Sequence, residues 1–448
     1  MDAPETQYVD FGGSHIAYQQ FGEGPSDIIY VSNWTWSVDL IWDFPQILPW
    51  LNELATLGRT LQFDMPGTGS SDPFPGDRPT TLEEWMDTVG AVLDAAGVER
   101  AVLLAHDVGA MMAMMFAAAH PERVTSLILL GATACMRAAP DYPIGFPDEL
   151  NKRAIDWWVS KWGTGEQLEL TAPTFAGDLE MRRIQAKYER LAVPPSTARK
   201  VFTLVTELDV RSVLKTIRVP TLVIHRRGDR FIPVSHGRYL ADKIADARYI
   251  EVPGDDHFPF AGENQDLIMK EVRDFLGATR VVDRRTQADR VLATVLFTDI
   301  VSSTERAASL GDRRWKQLLD SHDRMVRGAL DQFRGREVKT TGDGFLAAFD
   351  GPGKAINCAS VIREEARNLG IEIRAGLHVG EVETRGEDIG GIAVHVASRV
   401  LSNAEPDEIL VSSTVKDLVI GSGIEFEERG ARELKGVPGT WNLYAVAS

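Results

Sequence analysis

Asp299 and Asp343 are carboxylates whose settings suit metal chemistry. Asp299 ends an apolar run in FTDIVSST, and Asp343 occupies the Gly-Asp-Gly turn of KTTGDGF. Hard oxygen ligands from a strand end and a neighbouring turn can converge on Mg²⁺ or Mn²⁺. Each alone reads more readily as a turn former. A second constellation lies earlier in the chain. In Ala105-His106-Asp107-Val108-Gly109 a buried strand runs into an apolar helix. Small residues flank the centre because a tight strand-to-helix turn leaves no room for larger ones, so the Asp107 side chain is pushed into the open, as a nucleophile is. DMPGTGSSD at Asp64 to Asp72 before it, and Gly228-Asp229 and then Asp256-His257 after it, come in the order such a site requires.

The segment from about Val291 onward carries the residue types needed to join a ribose 3′-oxygen to an α-phosphate: metal-binding carboxylates, groups for a base, and cations for a departing pyrophosphate. FTDIVSST, KTTGDGF, IRAGLHVGEV, DIGGIAVHVASRV and ELKGVPG together resemble the class III adenylyl and guanylyl cyclases over nearly the whole segment. The resemblance implies that Asp299, the carbonyl of Ile300, and Asp343 hold two Mg²⁺ or Mn²⁺ ions. It assigns Lys339 and Asp388 to the adenine edge, which favours ATP, since guanylyl cyclases tend to place Glu and a small residue there. Arg399 matches the arginine that stabilises charge at the reacting phosphate, and Arg374 and Lys435 the cations of the phosphate tail. Where the family commonly has Asn, this chain has His395, able to donate to ribose or phosphate with a stronger dependence on pH; it also reads as a helix residue of no catalytic use. In this family each site is shared by two protomers, so a homodimer is implied. Asp299, Asp343 and Arg374 would come from one protomer, and Lys339, Asp388, His395, Arg399 and Lys435 from its partner.

Residues 8 to 278 resemble the α/β-hydrolase family, and His106-Asp107-Val108-Gly109 looks most like its epoxide hydrolases and haloalkane dehalogenases. A carboxylate attacks an sp³ carbon and leaves an ester that water then hydrolyses. By resemblance, His257 activates that water, Asp229 orients His257, and the backbone N–H groups of Trp34 and Val108 form the oxyanion hole. The chain departs from the pattern in three places. Ser32 and Asn33 stand where His-Gly is usual, no Trp follows Asp107, and the cap, about 136–205, offers only Tyr142 and Tyr188 to protonate an epoxide. An Asp-nucleophile hydrolase, a sensor of an apolar small molecule, and a structural or dimerising domain all remain open. Trp157, Trp158 and Trp162 suit either an apolar pocket or a cap core.

These residues need scaffolds. The chain has 448 residues, longer than one core usually serves. Asp27 to Ser32, Leu61 to Asp64, Ala101 to Ala105, Leu127 to Leu130 and Thr221 to His225 read as strands of a buried parallel sheet. The rhythm then changes: a strand from Leu292 to Phe297, a helix marked by Trp315, Leu318, Leu319, His322, Val326 and Leu330, and a hairpin of Glu337 to Thr341 with Phe345 to Phe349. The expected architecture is an α/β-hydrolase domain (1–278) with a helical cap, a charged linker (279–290), and an α+β cyclase domain (291–448) on a ferredoxin-like β-α-β-β-α-β core.

A net charge of −17 argues against nucleic acid and anionic membrane surfaces as partners. The longest apolar stretch, Val108 to Ala119, is too short to span a bilayer, and the first residues lack a signal-peptide pattern. A cytoplasmic protein is expected. Cys135 and Cys358 fall in different expected domains, so neither disulfide nor zinc site is suggested, and the hydrolase-like domain is expected to need no cofactor. The function expected is adenylyl cyclase. The alternative is a hydrolase or small-molecule-binding signalling protein whose cyclase part is weak or regulatory.

Overall fold

The computed structural model describes residues 1–75, 80–262, 264–282, 290–340, 342–386 and 388–447. The chain divides into two compact units, Met1–Ala288 and Asp289–Ser448.

In the first unit the strands are β1 (Gln7–Phe11), β2 (Ser14–Phe21), β3 (Asp27–Val31), β4 (Arg59–Phe63), β5 (Ala101–His106), β6 (Val124–Leu130), β7 (Thr221–Arg226) and β8 (Arg248–Val252). They form one sheet in the order β1-β2-β4-β3-β5-β6-β7-β8. The pairings from β4 to β8 are parallel, while β1–β2 and β2–β4 are antiparallel. Every residue of β5 is buried. The helix that follows, Gly109–Ala119, is buried all round, as its Ala and Met composition dictates. Gly109 is required there, because a Cβ would meet the carbonyl oxygens of Ser32 and Val31 at 2.1 and 2.4 Å. Between β6 and β7 the chain leaves the sheet to build a cap of helices Asp148–Ser160, Leu168–Thr171, Leu179–Ala192 and Pro195–Glu207.

The expected linker at 279–290 is only partly testable. A helix runs from Gln265 to Val282, taking in the linker's first residues, and 283–289 lie outside the described residues. So do Thr341, expected to end a strand, and Ser448.

The second unit is built on β9 (Arg290–Ile300), β10 (Arg336–Thr340), β11 (Gly344–Phe349), β12 (Ile373–Arg385), β13 (Asp388–Gly390), β14 (Ile409–Ser412), β15 (Phe426–Glu433) and β16 (Thr440–Val446). The sheet order is β10-β11-β9-β12-β14-β16-β15, with β13 folded back on β12. Helix Asp312–Gln332 joins β9 to β10, and helix Pro352–Asn368 joins β11 to β12, which gives the β-α-β-β-α-β core. Helix Ile392–Ser402 lies against β12 at Gly376, where a Cβ would meet the backbone N and Cα of Leu401 at 2.2 and 2.4 Å. That close approach fixes the helix carrying His395 and Arg399.

Candidate functional sites

In the first unit Asp107 stands between β5 and the buried helix with φ of 55°. This left-handed conformation is uncommon for a residue with a Cβ and persists only where the surroundings enforce it. Asn33 Nδ2 donates to Asp107 Oδ2 at 3.3 Å. Asp107 Oδ1 lies 3.8 Å from His257 Nε2, and His257 Nδ1 lies 2.8 Å from Asp229 Oδ2. The other oxygen of Asp229 accepts from the N–H groups of Phe231 and Ile232, both at 2.9 Å. Asp229 is thereby fixed and free to orient the imidazole. The three loops that follow β5, β7 and β8 therefore bring Asp107, Asp229 and His257 together.

Electrostatics follows from this sandwich. Burial pulls the His257 imidazole down, but Asp229 and then Asp107 outweigh it, raising it from 6.5 to about 10. Burial pulls Asp107 up, yet the adjacent His257 imidazole, with Asn33 donating to the carboxylate, prevails and holds it below the ordinary carboxylate range. His106, next in sequence, is pushed by burial down to about 3 and is neutral.

A cavity of about 630 Å³ opens on Asp107, lined among others by Trp34, Phe146, Trp157, Trp158, Phe202 and Phe231. Trp34 and Val108, expected around the oxyanion, both line it. Trp162 stands behind the wall, stacked on Trp34 at 5.5 Å, with its Nε1 donating to Val193 O. Neither cap tyrosine is among the lining residues. The Tyr142 hydroxyl is 3.0 Å from His236 Nδ1, and the Tyr188 hydroxyl accepts from Ser37 N at 2.8 Å. Both hydroxyls serve the packing of cap on core. Asn33 was legible only as a departure from a motif, and its bond to the nucleophile comes from the fold.

In the second unit, register places the metal-type carboxylates side by side. Asp299 pairs with Gly344 across β9–β11, so Asp343 is the next residue along the turn. Ile300 ends β9. Asp299 is also opposite Arg374 on β12, and Arg374 Nη2 donates to Asp299 Oδ2 at 2.6 Å. Arg374, expected among the phosphate-tail cations, is ion-paired with Asp299. Lys339 Nζ and Asp388 Oδ1 face each other at 3.5 Å with both side chains more than half exposed. His395 is exposed on helix Ile392–Ser402, one turn before Arg399, whose Nε donates to Lys435 O at 2.9 Å. Among the described residues no cluster of three or more His, Cys, Asp or Glu side chains is gathered for a metal. A carboxylate pair nevertheless fits Mg²⁺, which characteristically takes one or two carboxylates and completes its shell with substrate phosphates and water.

The pattern of the α/β hydrolase fold matches residues 46–263, and that of the adenylate and guanylate cyclase catalytic domain matches residues 286–448. The chain joins an α/β-hydrolase domain to a class III cyclase catalytic domain. A protein of Azorhizobium caulinodans provisionally named carbamate hydrolase RutD is 30% identical over 232 residues, covering 51% of this chain and 85% of that one. A protein of Rhizobium meliloti provisionally named adenylate cyclase 3 is 26% identical over 170 residues, 36% of this chain and 28% of that protein. A hydrolase crystal structure from Pseudomonas aeruginosa PA01 matches with TM-score 0.51 and 24% identity over 62% of this chain and all of its own, a likeness of fold alone. No helix among the described residues is long and apolar enough to cross a membrane.

Proposed function

We propose that the chain is an adenylyl cyclase, converting ATP to cyclic AMP and pyrophosphate as a cytoplasmic homodimer, with domains at 1–278 and 291–448. The reading rests on the adjacency of Asp299 and Asp343 across the β9–β11 register. Bound there with the Ile300 carbonyl, two divalent ions would activate the 3′-hydroxyl and neutralise the phosphates. Lys339 donates to the adenine ring, and Asp388 accepts from its amino group. Incoming phosphate competes with Asp299 for the Arg374 guanidinium, while Arg399 and Lys435 meet charge on the reacting and departing phosphates. His395 donates to ribose or phosphate. The test is cyclic AMP formation by the full chain with Mn²⁺ and ATP, with GTP as control. No cyclic AMP with Mn²⁺ and ATP would sink the reading.

The first unit is a binding domain for an uncharged apolar small molecule with the residues of a nucleophilic hydrolase in place. The observation that favours this is the apolar cavity opening on Asp107. When Asp107 attacks a carbon and becomes an ester, its negative charge is gone, and His257 loses one of the two carboxylates that hold it protonated. Its basicity then falls, and it can take a proton from water, with Asp229 stabilising the imidazolium that forms. Val108 and Trp34 N–H groups accommodate the oxyanion. Because neither tyrosine lines the cavity, epoxide opening has no phenol acid among the described residues, which favours a sensing role over epoxide opening. Thermal stabilisation by a panel of apolar esters, halides and epoxides, followed by a turnover assay, separates catalyst from sensor.

A further inference from the structure

Arg226 and Arg227 are neighbours with opposite surroundings. Arg227 is on the surface, 3.5 Å from Glu251. Arg226, the last residue of β7, is 4% exposed. Burying a guanidinium is costly unless its donors are satisfied. Four backbone carbonyls satisfy it. Nη1 donates to Asp256 O at 3.0 Å and Phe258 O at 2.6 Å, and Nη2 donates to Pro259 O at 3.2 Å and Ala261 O at 2.6 Å. Asp256 and Phe258 are the residues on either side of His257, so one guanidinium nitrogen grips the chain on both sides of the base.

The cap holds the same loop from the opposite direction. The Thr171 carbonyl accepts from His257 N at 2.9 Å and Phe258 N at 3.1 Å, and the Asp256 carboxylate accepts from Thr174 N and Oγ1 at 3.0 and 2.7 Å. Arg226 also begins the turn that delivers Asp229, whose N–H donates to Arg226 O at 3.4 Å. One side chain therefore ties the segment bearing the orienting carboxylate to the segment bearing the imidazole.

We propose that Arg226 is a positioning residue for His257, its planar fork setting the distance from the imidazole to Asp229 and to Asp107. The inference rests on reading Asp107, Asp229 and His257 as one site. Lysine does not substitute, because a single ammonium offers three donors from one point and four carbonyls spread over six residues need a fork. The charged groups around His257 are Asp229 and Asp107, with His106 and His225 as neutral neighbours held down by burial. Loosening the loop lengthens both carboxylate distances, and the imidazole then releases its proton at lower pH.

The experiment is an NMR titration of His257 Cε1 in the full chain, comparing wild type with Arg226→Lys, Arg226→Met and Leu54→Ala. Leu54 is fully buried in the core of the same unit and serves as a destabilising control. The midpoint is expected to fall by about one pH unit or more, a roughly tenfold change in the ionisation constant, in Arg226→Lys, and to stay in place in Leu54→Ala. Should Arg226→Met fail to fold, Arg226→Lys carries the test, since it keeps the charge. A wild-type midpoint in Arg226→Lys, or an equal shift in Leu54→Ala, overturns the proposal. Turnover is not read here, so a wild type without hydrolase activity sinks the hydrolase reading while the positioning result stands.

Discussion

His257 Nε2 faces Asp107 Oδ1 at 3.8 Å, with both atoms buried and neither hydrogen-bonded. The pair is close enough for strong attraction and too far apart for a hydrogen bond. Because the folded imidazole is raised to about 10 from 6.5, its contribution to stability is fully present below 6.5 and is lost as pH rises through 10. The melting temperature of the first unit should therefore fall by several degrees between about pH 7 and pH 10, and His257→Gln should flatten that slope. Calorimetry across the range is the check. A wild type as stable at pH 10 as at pH 7 contradicts the ion sandwich.

Covalent chemistry gives a second test. His257→Gln removes the base and leaves the Asp107 carboxylate, so a reactive apolar epoxide, opened by attack at its sp³ carbon, should accumulate as an ester adduct on the peptide containing residues 105–109. Mass spectrometry reads it directly. Turnover by Asp107→Ala would exclude the ester route.

How much of this was legible beforehand depends on how local the cause is. The five buried strands were readable because β3 to β7 are almost wholly buried and so largely apolar, and the nucleophile turn because small residues flank Asp107 in one short stretch, although the collision that dictates Gly109 is with the distant carbonyls of Val31 and Ser32. β1 and β8 escaped because they are edge strands with partly exposed faces, where the apolar run is broken, and β2 because His15, Gln19 and Gln20 interrupt its apolar residues. Arg226 was invisible for a different reason: its partners are carbonyls thirty or more residues away, and a carbonyl has no letter in the sequence. The same holds for Arg374, whose tie to Asp299 is a matter of strand register.

Asp299→Ala and Asp343→Ala should each lower cyclase turnover by roughly a hundredfold or more, the scale expected when several kcal/mol of charge stabilisation are lost. Circular dichroism should stay unchanged, since neither side chain belongs to a core. Wild-type turnover by either variant at saturating Mn²⁺ would show that the metals bind elsewhere.

Base choice should respond to the exposed pair Lys339 and Asp388, which face each other at 3.5 Å. Replacing them with Glu and Cys removes groups matched to adenine, and the preference for ATP over GTP should drop on the order of a hundredfold. The measurement is the ratio of kcat/KM values for the two nucleotides. An unaltered ratio in a folded variant would assign these residues to structure alone.

Within one chain the candidate residues form separate pairs: Asp299 with Arg374, Lys339 with Asp388, and Arg399 with the Lys435 carbonyl. If a nucleotide is gripped by Asp299 and Asp343 of one protomer and by Lys339, Asp388 and Arg399 of its partner, a twofold dimer holds two identical sites, each needing both sets. Two lesions in different sets then complement. Mixing Asp299→Ala with Arg399→Ala gives mixed dimers in which one site carries both lesions and the other carries none. With equal amounts and random pairing, about half the dimers are mixed and half the sites in those are intact, so activity should approach roughly a quarter of wild type. Subunit exchange is followed independently by energy transfer between labelled chains. A mixture that exchanges fully yet stays inactive would place the complete site within one chain.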